Sequence, residues 1–120
     1  MSKKIHIAIL GSTGSIGQQT LEVIKMHKNL FSVELLTANK NSQLLIKQAI
    51  EFDANTVIIS DESKYKEVDN ALFNKGIKVF SGINSISDYI TSSNIDVVLS
   101  ALVGFAGLLP TISAMLFGSI

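Results

Sequence analysis

At 120 residues, with 47% hydrophobic and 17% charged side chains, the chain is expected to form one globular domain and is not a disordered segment, which needs low hydrophobicity and high net charge. Ten basic residues balance ten acidic ones, which leaves no electrostatic footprint for nucleic acid or an anionic membrane. The absence of cysteine excludes disulfides, thiolate zinc sites and cysteine nucleophiles.

In chain order, Ile5–Leu10 is a short apolar run ended by glycine and reads as a buried strand. Ser15–Lys28 carries apolar residues at helical spacing. Phe31–Ala38 is a second strand, and Ser42–Phe52 a second helix with Ser42 placed to cap it. Thr56–Ile59 is a third strand. Asp61 caps a helix running to about Lys75, and Gly76 follows where a terminating glycine belongs. Ile77–Phe80 is a fourth strand, Ile83–Ile90 a short helix, and Ile95–Ala101 a fifth strand. A last helix is expected to start near Pro110.

This alternation predicts an α/β fold, a doubly wound parallel sheet of the Rossmann-like type, with 3-2-1-4-5 the simplest strand order. There is no internal repeat and no domain boundary. Met1-Ser2-Lys3-Lys4 leads into too short an apolar run for a secretory signal, so a cytoplasmic location is expected. Val97–Ile120 contains no charge over 24 residues, long enough to span a bilayer, but Ser100, Gly104, Gly107, Pro110, Thr111 and Ser113 interrupt it. A buried strand, turn and helix packed on another part of a longer protein is the preferred reading, with no membrane partner.

The informative site is Gly11-Ser12-Thr13-Gly14-Ser15-Ile16-Gly17, a G-x-x-G-x-x-G variant of the dinucleotide fingerprint, set between strand and helix. Gly11 permits the sharp turn, Gly14 lets backbone approach a pyrophosphate, and Gly17 lets the helix pack closely on the sheet. The N–H groups of Thr13, Gly14, Ser15 and Ile16 are expected to face the phosphates, supported by the helix dipole. No Gly-Lys-Ser/Thr follows, which argues against nucleotide hydrolysis. The blander reading is a tight turn with no ligand.

An NAD binder usually carries Asp or Glu at the end of the second strand to hold the ribose hydroxyls. Here the sequence is Thr37-Ala38-Asn39-Lys40-Asn41-Ser42, with a cation and no acid. Glu34 lies too early, mid-strand. Lys40 suits a 2′-phosphate and so favours NADP over NAD. Asn39 tolerates a left-handed conformation and is expected to let the backbone turn toward the ribose. His6 reads as a packed or edge histidine, and the charged residues from Asp61 to Asp69 as a solvated helix face. No catalytic dyad, triad or metal-ligand cluster is apparent.

Ala8-Ile9-Leu10-Gly11-Ser12-Thr13-Gly14-Ser15-Ile16-Gly17-Gln18-Gln19-Thr20-Leu21-Glu22-Val23-Ile24 resembles the opening of the 1-deoxy-D-xylulose 5-phosphate reductoisomerase family. Ala38-Asn39-Lys40-Asn41 is similar to that family's Ala-Gly-Lys-Asn turn. Ser100-Ala101-Leu102-Val103-Gly104-Phe105-Ala106-Gly107-Leu108-Leu109-Pro110-Thr111 resembles its loop after the fifth strand, and is the more specific match. The resemblance implies NADPH contacts at Thr13, Gly14, Ser15, Ile16, Asn39, Lys40 and Asn41, with Asn39 replacing the usual glycine. It also implies a segment near the nicotinamide at Ala101–Gly104.

The family's Asn-Lys-Glu motif, its acidic Mg²⁺ or Mn²⁺ site and its substrate phosphate site are not among these residues. The resemblance therefore makes residues 1–120 the NADPH-binding portion of a longer enzyme, inactive by itself. Such an enzyme isomerises and reduces a sugar phosphate, 1-deoxy-D-xylulose 5-phosphate, in the non-mevalonate isoprenoid route, and is expected to be a homodimer. Gly118-Ser119 departs from the family's usual Gly-Lys, so the last two residues need not be native continuation. Two alternatives stand beside this reading: another NADP-dependent dehydrogenase domain, and a stand-alone NADP sensor.

Overall fold

The computed structural model describes residues 3–101. Its five strands are β1 (Ile5–Leu10), β2 (Phe31–Ala38), β3 (Thr56–Ile59), β4 (Lys78–Ser81) and β5 (Val97–Ser100). The α-helices are α1 (Ser15–Met26), α2 (Ser42–Phe52), α3 (Tyr65–Leu72) and α4 (Asn84–Ser92). Single 3₁₀ turns at Glu62–Lys64 and Phe73–Lys75 flank α3, so the helix expected as one piece is three. Asp61 does cap the first turn, accepting from the Ser63 N–H at 3.0 Å, and Gly76 ends the last with φ 73°. The helix expected near Pro110 lies outside the described residues.

All neighbouring strands are parallel, in the order β4-β3-β2-β1-β5. This corrects the 3-2-1-4-5 expectation, and the burial of α3 explains it. Val68 and Leu72 of α3 are buried in the same cluster as Leu21 and Ile24 of α1 and Leu45 and Ala49 of α2. The three helices therefore share one face of the sheet. Right-handed crossovers on one face must all step in one direction, which carries β4 out beyond β3. The α4 connection then runs back to the far side of β1. Crossing in the reverse direction, it lies on the opposite face, where Ile86, Tyr89 and Ile90 pack against Ala8, Leu35 and Ile58.

Strand alternation sorts the core between these faces. Ile7 and Ile9 face α1–α3 while Ala8 faces α4; Val57 and Ile59 do the same around Ile58. In β2 the alternation slips by one residue. Ile7 pairs with Val33 but Ala8 pairs with Leu35, so Glu34 is the extra residue of a bulge. The slip puts Val33, Leu36 and Ala38 on one face and Leu35 on the other.

Candidate dinucleotide-binding site

β1 lies between β2 and β5, so the chain leaves it in one direction and returns on its other side. The C-terminal end of such a strand is the crevice where ligands bind in open α/β sheets. Three segments meet there: the glycine loop after β1, Asn39–Asn41 after β2, and Ala101 after β5, whose N–H donates to the Leu10 carbonyl at 2.8 Å.

Of the three loop glycines, the structure requires two. Gly11 turns with φ 81°, a left-handed conformation. A Cβ on Gly17 would lie 2.6 Å from the Ser12 Cα, so only glycine lets α1 come this close to the loop. Gly14 is different. Its φ is −82°, and a Cβ there would meet only the Gly11 oxygen, at 3.7 Å. The protein's own packing and backbone do not need a glycine at 14.

The loop's carbonyls are all spent. The Gly11 oxygen accepts from the Gly14 N–H at 3.2 Å, and the Gly14 oxygen from the Gln18 N–H at 2.9 Å. The Gln48 side-chain amide donates to the Ser12 oxygen, and that of Gln18 to the Thr13 oxygen, both at 2.9 Å. The N–H groups of Thr13, Ser15 and Ile16 have no acceptor among the described residues. Gly14 departs from expectation, because its N–H closes the turn instead of facing outward. Gly14 and Ser15 are exposed and Thr13 and Ile16 half-buried. The result is a rim of unspent donors at a helix N-terminus, which suits an anion.

Asn39, Lys40 and Asn41, in the turn that follows β2, are all exposed. Asn41 caps α2, accepting from the Leu44 N–H at 3.2 Å, whereas the expected cap, Ser42, is already helical and buried. Asn39 does not adopt a left-handed backbone; Asp53 is the one non-glycine with positive φ among the described residues. Instead the Asn39 oxygen accepts from the Asp61 N–H at 2.9 Å, tying the turn to the end of β3. The Asp61 carboxyl is held below the usual carboxylate range, first by its bonds from Ser63 and to a smaller degree by Lys40 and Lys64. An acid thus stands near Lys40, turned onto Ser63, a neighbour that strand β2 alone did not disclose.

Sequence reasoning missed the support beneath the loop. Thr37 is buried and takes the Gly11 N–H on its Oγ1 at 2.9 Å and the Ser12 N–H on its carbonyl at 2.8 Å. Ser12 Oγ donates to Gln48 Oε1 at 2.8 Å. The available signal was Gln48 itself, a polar residue on the apolar stripe formed by Leu45 and Ala49.

The other polar cluster lies toward the opposite end of the sheet, where His6 Nδ1 stands 3.3 Å from Glu34 Oε2 and Asn55 donates to Glu34 and Tyr89. No group of three or more potential metal ligands occurs among the described residues, and no described helix is long and apolar enough to cross a membrane.

Residues 7–119 match the family model for 1-deoxy-D-xylulose 5-phosphate reductoisomerase. A reductoisomerase of that name from Porphyromonas gingivalis is 51% identical over 112 residues, covering 93% of this chain and 29% of that protein. The Bacteroides thetaiotaomicron protein of the same name is 47% identical over 114 residues, covering 95% of this chain and 29% of its own length. Among solved structures, the Zymomonas mobilis reductoisomerase in complex with NADPH superposes with a TM-score of 0.80 at 30% identity, covering 87% of this chain and 27% of that one. A reductoisomerase in complex with NADPH, fosmidomycin and magnesium gives a TM-score of 0.77 at 28% identity, covering 83% and 25%. The chain thus spans less than a third of the length of these relatives.

Proposed function

The chain belongs to the 1-deoxy-D-xylulose 5-phosphate reductoisomerase family, and we propose that residues 1–120 form the NADPH-binding portion of such an enzyme. The observation that carries this reading is the set of N–H groups at Thr13, Ser15 and Ile16 with no acceptor among the described residues, open in front of Gly14 and at the end of β1, the strand paired with the one that leads into the Lys40 turn.

Thr13, Ser15 and Ile16 hold the pyrophosphate, with the α1 dipole adding to their donors. Gly14 keeps the approach clear of side chains. Lys40 takes the 2′-phosphate by a charge-assisted contact, which selects NADPH over NADH. Asn39 supplies main-chain shape to that turn. Asn41, whose side-chain oxygen caps α2, has its amide nitrogen left to donate. Ala101 ends β5 at this crevice, and the rest of the Ala101–Gly104 segment expected near the nicotinamide lies outside the described residues. The chemistry NADPH supplies when bound is a hydride for carbonyl reduction.

The whole enzyme would isomerise and reduce 1-deoxy-D-xylulose 5-phosphate to 2-C-methyl-D-erythritol 4-phosphate for non-mevalonate isoprenoid synthesis. Mg²⁺ or Mn²⁺ and the substrate phosphate would be held by parts of the family's fold outside these residues, which have no turnover by themselves, and the whole enzyme would be a homodimer. Neutral net charge supports the absence of a nucleic-acid partner. A cytoplasmic location fits a cofactor drawn from the cytoplasmic pool. The test is titration of the full-length protein with NADPH and NADH by nicotinamide fluorescence. Preference for NADPH is expected, and equal affinity for both would overturn the Lys40 assignment.

A further inference from the structure

Gln48 touches no part of the expected cofactor contact surface, yet it governs the peptide that points there. Ser12 is fully buried, and each of its polar groups is bound: N–H by Thr37, hydroxyl and carbonyl by Gln48. The Ser12 C=O and the Thr13 N–H belong to one peptide unit. In a planar trans peptide these two groups point in opposite directions. When Gln48 Nε2 draws the Ser12 oxygen inward, the Thr13 N–H is aimed away from α2, out of the loop.

The same helix begins directly after Lys40 and Asn41. One rigid element thus carries the turn expected to hold the 2′-phosphate at its start and the clamp on the pyrophosphate loop two turns later. Gln48 also occupies a position that packing alone would give to leucine or methionine, since Leu45 and Ala49 beside it are fully buried. An amide there is tolerated because both of its ends are paired with Ser12.

We infer that Gln48 is a positioning residue for dinucleotide binding: it fixes the Ser12–Thr13 peptide so that the Thr13 N–H presents to the pyrophosphate at a set distance from the Lys40 turn. This inference rests on the cofactor reading above.

The test uses the full-length protein and three probes: NADPH, NADH and 2′-AMP, which has the 2′-phosphate but no pyrophosphate. Gln48→Met keeps volume and removes both bonds. It is expected to weaken NADPH and NADH alike by roughly tenfold, while 2′-AMP binding stays within about twofold of wild type. Adding Ser12→Ala to Gln48→Met should cost little more, because the short bond to Gln48 is already gone and the Ser12 hydroxyl keeps only a 3.4 Å contact to the Thr37 carbonyl. Gln48→Glu gives a readout that loss of fold alone would not move when it is taken as NADPH affinity relative to 2′-AMP affinity at each pH. Its protonated carboxyl can donate to the Ser12 oxygen and its carboxylate cannot, so that ratio, compared with wild type, should recover as pH falls. If Gln48→Met fails to fold, that pH dependence decides. Unchanged NADPH binding in Gln48→Met, equal loss of 2′-AMP, or a flat pH ratio in Gln48→Glu would overturn the inference. Wild-type protein that does not bind NADPH sinks the cofactor reading itself, and this inference with it.

Discussion

The hydrogen of Gly17 faces the carbonyl of Gly11 with no room for a carbon between them, so the first and last glycines of the loop form one packing unit. A methyl group at 17 would strike backbone atoms of Gly11 and Ser12, which cannot swing aside as a flexible side chain would. Gly17→Ala should therefore lower stability by about 1–3 kcal/mol through overpacking, read as a lower urea midpoint. Gly14→Val makes the opposite case. Its backbone suits any residue and its surroundings are open. The fold should keep its urea midpoint while NADPH and NADH affinity fall together, because the side chain would stand in the position proposed for the pyrophosphate.

Lys40→Ala should weaken NADPH binding by roughly ten- to a hundredfold, the worth of a charge-assisted bond to a phosphate. NADH lacks the 2′-phosphate, so its affinity should hardly change. Lys40 is exposed, so added salt should narrow the wild-type preference by screening. An equal loss for both cofactors would make Lys40 a general phosphate contact and leave the NADPH preference unexplained.

The strands and helices were legible because each carries its own period and punctuation. Gly11 and Gly76 mark left-handed turns, and Ile7, Val57 and Ile59 mark buried strands. Strand order was not legible. Whether β4 steps past β3 or returns to β1 depends on which face α3 chooses, and Val68 and Leu72 would suit either face. The cap of α2 was misplaced by one residue because Asn41 and Ser42 are both good caps, and only the backbone decides that Asn41 stays non-helical. At the site, the glycine spacing identified the loop, but which N–H groups remain unspent depends on partners from β2 and α2. Thr37 and Gln48 stand 26 and 36 residues from the loop residues they hold, beyond any local pattern.

The Asp61 carboxyl should titrate below the ordinary carboxylate value. Its depressed pKa comes first from the Ser63 hydrogen bonds and less from Lys40 and Lys64. A group whose folded pKa lies below its unfolded one contributes stability above the unfolded value, and that contribution fades as pH falls through the folded value. Acid should thus release the turn before α3, with no effect near neutrality. Carbon-detected NMR titration would show the low midpoint, and Ser63→Ala should move it up by more than Lys40→Ala does. A midpoint unmoved by Ser63→Ala, which leaves the Ser63 N–H bond in place, would refute the Ser63 hydroxyl as the leading cause of the depression.

Two buried threonines on neighbouring strands make a matched comparison. Thr37 Oγ1 accepts the Gly11 N–H at 2.9 Å, while Thr56 Oγ1 has no partner among the described residues. Replacing either with valine makes the same change of shape and of strand propensity, so the difference between them isolates the hydroxyl's bond. Thr56→Val removes a buried polar atom that gains nothing, and should leave stability unchanged or raise it by about 1 kcal/mol. Thr37→Val leaves the Gly11 N–H with only the longer bond, 3.1 Å to the Thr37 carbonyl. It should cost about 1 kcal/mol and also loosen the start of the glycine loop, so NADPH affinity should fall. Urea midpoints for the two variants, with NADPH titrations beside them, separate the effects. Equal midpoints would mean that the Thr37 hydroxyl does not hold the loop; a lower midpoint in Thr37→Val with unchanged NADPH affinity would mean that it holds the fold but not the binding conformation.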